Sequence, residues 1–280
     1  MRRVYALLAL AIVTLFTALT LGGIARADDA PNDDALVTGA LAALQDGRTN
    51  DAIAALESLG DRGVVDPVVS FDRGLAYALR VRAGAEQPGD LGRAAHGFEE
   101  TRELAQDDGL ARDASIALSI VRAEVARRRS QAGEPVEVDP GVPLRRAITN
   151  LASDDAWALA ALASAIILGA ALFVRWLSAA RRVRIAAAIA LSGSAPALVA
   201  FALLALFARD DRLHLREGVI VAASARLSDE RHIVLANASA LPEAARVTLA
   251  ATSPGWAEVH WGKWSGWVPS QTIRPIAKPE

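Results

Sequence analysis

The sequence predicts a multidomain membrane protein of mixed α and β structure: helical repeats, a hairpin of two membrane-crossing helices, and a small β-barrel. Three observations carry that expectation. Two uncharged apolar runs, 156–174 and 185–207, are separated by a short segment rich in arginine. Ahead of them, apolar residues recur every three or four positions in short stretches, the period of amphipathic helices. After them, short β-type runs alternate with turns, and four of the six tryptophans fall between positions 256 and 267.

Arg2 and Arg3, an apolar run over 4–21, and the Ala25-Arg26-Ala27 sequence have the order of a secretory signal, with cleavage expected after Ala27; an uncleaved anchor, which the long apolar run would also suit, is the alternative. Residues 28–130 then read as five helices. Leu36, Val37, Ala40, Leu41 and Leu44 share a face of the first. Thr49 or Asn50 is placed to cap the second, which turns Ile53, Leu56 and Leu59 inward. Asp66-Pro67 opens the third with proline where a missing N–H costs nothing. Asp90 is placed to cap the fourth, in which Leu91, Ala94, Ala95 and Phe98 form a stripe. A fifth runs over 110–129, followed by a Pro-rich linker over 131–155.

A repeat is visible here. Asp33 and Pro67 lie 34 residues apart, which sets Ala40 against Gly74 and Ala43 against Tyr77. With Ala52, Ala95 and Phe98 at the helix contacts, the pattern resembles the tetratricopeptide repeat, with an insert of about nine residues around AGAEQPGD. A generic alanine-rich bundle is the alternative.

The first apolar run rises about 28 Å as a helix, close to the roughly 30 Å of hydrocarbon a span must cross. Arg175, Arg181, Arg182 and Arg184 fill the segment 175–184, and aspartates flank the outer ends. The bias of positive charge toward the cytoplasm puts this loop inside and both flanking domains outside. Ala161, Ala165 and Gly169 on one span, and Ala186, Ala190 and Ser194 on the other, form small-residue stripes expected to meet.

Strands are expected over 218–223, 245–250, 256–261, 266–269 and 273–276. The stretch GWAEVHWGKWSGWVPSQTI resembles the bacterial SH3-like barrel, assigned to 212–280. In that family's peptide-binding members a tryptophan matching Trp256 and a proline matching Pro269 line the ligand groove. Here the tyrosine position after PSQ is Thr272, which argues against polyproline ligands but leaves Trp256 free to stack on a wall glycan or peptide; the alternative is that these tryptophans simply build a small core.

Composition excludes several classes of function. The chain lacks cysteine, so no thiolate nucleophile or disulfide is available. Residues 28–150 hold 22 acids against 14 arginines, a net of −8, which disfavours nucleic acid as a partner. The four histidines are not at metal-ligand spacing, the spans offer no base to a serine, and no phosphate-binding glycine loop occurs. No catalytic residue, metal or cofactor is therefore expected.

Taken in order, an exported signal, tetratricopeptide-like helices, a two-span hairpin and an SH3-like barrel resemble the BatE-like membrane proteins of bacterial aerotolerance operons. The resemblance implies a non-enzymatic scaffold of the inner membrane, with both soluble domains periplasmic. Its implied partners are von Willebrand A-domain proteins and, indirectly, a MoxR-type AAA+ ATPase. The alternative is an envelope sensor or anchor whose barrel binds peptidoglycan or a wall peptide.

Overall fold

The computed structural model describes residues 30–141, 144–149, 151–236 and 238–278; Ala25 and Ala27, the expected cleavage site, lie outside them. The chain divides into two units, one ending at Gly63 and the other running from Val64 to the C-terminus.

The first unit is a helical hairpin of α1 (Ala30–Gln45) and α2 (Thr49–Asp61). Ala40 and Ala43 on α1 and Ala52, Ile53, Leu56 and Leu59 on α2 are buried, so small residues on one helix receive large ones from the other. Leu41, expected on the inner face, is exposed. Thr49 and Asn50 begin α2 rather than cap it. Arg48 holds the cap position without a side-chain cap bond and bridges Asp46 and Asp51 at 3.1 and 2.8 Å.

The second unit begins with α3 (Pro67–Arg82), α4 (Asp90–Leu104) and α5 (Asp108–Gln131). Asp66 caps α3 by accepting from the amides of Val68 and Val69, and Asp107 caps α5 in the same way through Gly109 and Leu110. Asp90, the expected cap of α4, is instead its first residue. Gly89 takes the cap position at φ +90°, and the Asp90 carboxylate turns inward to Arg80. The helical stretch 28–130 is thus split between the two units, because α3 to α5 share their packing with the C-terminal strands.

Helix α4 runs through the centre of this unit. Every residue from Asp90 to Thr101 except Arg93 is buried. One face meets α3, where an added Cβ on Gly74 would sit 2.9 Å from the Phe98 ring. The other meets the sheet: a Cβ on Gly92 would lie 2.5 Å from the Ile220 carbonyl oxygen. Only glycine lets the helix and strand backbones approach this closely.

Segment 131–141 is packed onto its neighbours. Val138 is buried, its carbonyl accepts a 3.4 Å bond from the Trp261 indole, and Arg129 donates to the Pro135 carbonyl at 2.7 Å. A short helix α6 (Leu144–Thr149) leads to α7 (Asp154–Leu177) and α8 (Arg181–His214). Only residues 178–180 separate the last two, so the four arginines sit on helix ends rather than in a ten-residue loop. Arginine is a good helix former, and the backbone ladder runs on through it.

Both helices are long and apolar enough to cross a membrane. They pack on each other through Trp157, Ala161, Ser164 and Ala171 against Ala187, Ser194 and Phe201. Ala165 and Ala190 lie at the edge of this seam, whereas Gly169 and Ala186 face away from it. The expected stripes are therefore rotated from the actual contact. Pro196 does not interrupt α8.

Seven strands complete the unit: β1 (Arg216–Ile220), β2 (Ser224–Ala225), β3 (Leu241–Pro242), β4 (Arg246–Ser253), β5 (Trp256–Trp261), β6 (Trp264–Pro269) and β7 (Ile273–Pro275). Five make one antiparallel sheet in the order β6-β5-β4-β1-β7, and β2 pairs with β3. Gly262, at φ +58°, turns β5 into β6, and residues 270–272 form a 3-10 turn before β7. Ile220, Leu227, Leu241, Val247, Val259, Trp261 and Val268 form the core.

Candidate functional site

Two places in the second unit gather chemistry: a charged joint where α4 meets the sheet, and an aromatic patch on the sheet itself.

The joint is built on Glu99, whose side chain is fully buried on α4. It accepts from Arg122 of α5 at 2.7 Å, from Arg246 of β4 at 2.8 Å and from Arg102 at 3.0 Å. Arg246 continues to Glu103 at 2.6 Å and to Glu217 of β1, and Glu217 takes a two-pronged bond from Arg146 of α6 at 2.6 and 2.7 Å. Burial opposes charge on Glu217, but the hydrogen bonds from Arg146 and Arg246 outweigh it and hold the carboxyl down at about 2. Burial likewise opposes the Arg246 cation, and the bond to Glu217 with the charges of Glu99 and Glu103 reverses the balance, raising it. A charge in this setting is stable only while its partner stays.

Further contacts extend the joint. Glu100 accepts from Arg73, from the Ser70 hydroxyl at 2.7 Å and from the Ala277 amide at 3.2 Å. Glu243 accepts from the Gly92 amide at 2.7 Å, and burial raises its carboxyl above the ordinary range. His96 shares a 2.8 Å bond with the Pro275 carbonyl, and burial lowers its affinity for a proton.

Beside the joint lies a cleft of about 450 Å³ reaching Arg212 and Lys278 at the end of α8. Lys278 donates to the carbonyls of Asp211 and Arg212 at 3.1 and 2.8 Å, capping that helix, while Arg212 bridges Asp154 at 2.9 Å. The end of α8 is thus tied to the segment that follows β7 and to the start of α7.

In the sheet, strand pairing sets Trp256 opposite Pro269, so the two expected ligand-contact residues are neighbours. The outer face of Trp256 is occupied by His232, stacked at 4.1 Å and 10°, which also meets the edge of Trp267. His232 adopts φ +62°, in a turn closed by Asp229, whose carboxylate accepts from the amides of Arg231 and Ile233. Trp261 is buried in the core and Trp264 packs against it, so the four tryptophans split between core and surface.

Among the other sequence-derived positions, Ala40, Ala52, Gly74, Tyr77, Ala95 and Phe98 are all buried. Arg175, Arg181, Arg182 and Arg184 are exposed together at the tip of the hairpin. Sequence reasoning did not find Glu99, Arg122, Arg146, Glu217, Arg246 or His232. The one available hint was the pair of glycines at 92 and 97 inside a helix, which signals close backbone approach. Among the described residues, no three His, Asp or Glu side chains stand together in a way that could hold a metal ion.

No family model matches the chain, and neither a curated protein nor a solved structure is significantly similar to it.

Proposed function

We propose that the chain is a membrane-anchored, non-enzymatic scaffold of the bacterial envelope. In this reading α7 and α8 cross the inner membrane with the arginine tip in the cytoplasm, and the helical and β parts lie on the periplasmic side. The observation that supports it best is the buried joint. Its charged side chains, from Arg73 to Arg246, tie α3 to α6 and the sheet into one body at the foot of the hairpin. Such a device holds surfaces in fixed register, which a scaffold requires and a flexible tether does not.

The buried small residues at 34-residue offset support a tetratricopeptide-like reading of the helices, and the antiparallel meander supports an SH3-like reading of the barrel. On the BatE-like resemblance, the partners are A-domain membrane proteins and, through them, a MoxR-type ATPase. Crosslinking of the full chain in its native membrane, followed by mass spectrometry, is expected to recover such proteins. Recovery of the chain as a lone monomer after gentle solubilisation would sink the reading.

A second reading, peptidoglycan or wall-peptide binding at Trp256 and Pro269, has the pairing of those residues in its favour. It requires a ligand that displaces His232. Retention of the detergent-solubilised full chain on purified sacculi, lost in Trp256→Ala, would favour this alternative.

A further inference from the structure

The tip of the hairpin carries a charge that no acid among the described residues pairs with. Arg175 lies in the last turn of α7, and Arg181, Arg182 and Arg184 in the first turns of α8. All four are exposed. No acid occurs between Asp155 and Asp210, and the ion pair that joins the two helices, Asp154–Arg212, lies at the opposite end, about 36 Å away along a helix of this length. Helix α8 also opens with no acid in its first turn and no side-chain cap, so its own dipole adds to the positive field. Four cations this close repel one another unless anions come from outside.

Next to them Trp176 is 82% exposed, the most open of the large apolar side chains, with Leu177 beside it. An exposed indole flanked by arginines at the end of an apolar helix fits the headgroup level of a bilayer, where the ring is half in hydrocarbon and the guanidinium groups reach phosphate. The contrast with residues 28–150, net −8, is sharp: that part is repelled by an anionic surface, and the tip is drawn to one.

We propose that the arginine tip binds the phosphate headgroups of anionic phospholipids, with Arg181, Arg182 and Arg184 supplying the charge and Trp176 fixing the depth. The proposal rests on the membrane reading under Proposed function. Its consequence is that the hairpin selects its lipid neighbours on one leaflet only.

The test uses the full chain in vesicles, following Trp176 fluorescence as the difference between wild type and Trp176→Phe. Quenching by brominated phosphatidylglycerol is compared with quenching by brominated phosphatidylcholine. The expected result is a preference of at least about tenfold for the anionic lipid. It falls toward unity in the triple variant Arg181→Gln, Arg182→Gln, Arg184→Gln and is retained in the corresponding triple Lys variant. Equal quenching by both lipids in the wild type, or a preference unchanged by the Gln substitutions, would overturn the proposal while leaving the membrane reading intact. No quenching by either lipid would overturn both. A preference abolished by millimolar inorganic phosphate would replace a lipid site with one for free phosphate and likewise overturn it.

Discussion

Helix α4 and helices α7 and α8 reverse the usual relation between composition and burial. Helix α4, DLGRAAHGFEETREL, carries six charged residues and a histidine, yet it is the most enclosed helix of the second unit. The central runs of α7 and α8 are wholly uncharged, yet only 11% and 6% of their most apolar windows lie inside the protein. The difference is one of surroundings. Protein can enclose a charged helix if every charge finds a partner, whereas an apolar helix left bare needs a solvent as apolar as itself.

This contrast can be broken most severely at Glu99. Replacing it with alanine leaves Arg102, Arg122 and Arg246 without their shared acceptor. The expected loss is about 3–5 kcal/mol of unfolding free energy in urea titrations of the solubilised chain. Ile166→Ala on the exposed face of α7 is expected to change the same measurement by less than about 1 kcal/mol, because no cavity forms.

Acid should loosen the same joint. Glu217 titrates at about 2 when folded against an ordinary 4.5, so its stabilisation is complete above pH 4.5 and is lost as pH falls toward 2. The full effect is at most about 3 kcal/mol, and a pH series of thermal unfolding on wild type and Glu217→Gln isolates it. His96 acts in the same direction from a higher starting point, since burial lowers its proton affinity and protonation below pH 6.5 works against the fold.

Close approach gives the next effect. Gly92→Ala places a Cβ against backbone atoms of Ile220 and Val221, at 2.5 and 2.6 Å, and is expected to cost about 1–3 kcal/mol by pushing α4 from β1. Gly169→Ala on α7 meets nothing within 4 Å. It is expected to stabilise the helix by up to about 1 kcal/mol, read as a small rise in melting temperature.

The hairpin and the sheet were legible in the sequence because their signals are local. Uncharged runs of about twenty residues mark the two long apolar helices, and Gly255 and Gly262 mark the turns between strands. The joint was not legible, because its partners lie 147 positions apart for Glu99 and Arg246 and 71 for Arg146 and Glu217. Periodicity found one stripe of α4, Leu91, Ala94, Ala95 and Phe98, and gave no role to Glu99 or His96. The Trp256–Pro269 pair was within reach of motif reasoning, but His232, brought over it by a left-handed turn, was not.

The chain contains no cysteine, so single cysteines report topology without background. Ala179→Cys marks the arginine turn, Ser130→Cys the end of α5 and Glu230→Cys the loop between β2 and β3, all exposed positions. The decisive measurement is labelling of each with a membrane-impermeant maleimide in intact spheroplasts. Ser130→Cys and Glu230→Cys are expected to react, and Ala179→Cys only after permeabilisation. Reaction of Ala179→Cys in intact spheroplasts together with the other two, or reaction of Ser130→Cys and Glu230→Cys from opposite sides, would contradict an apolar hairpin that crosses the bilayer twice and turns at its cytoplasmic face beneath a single charged joint.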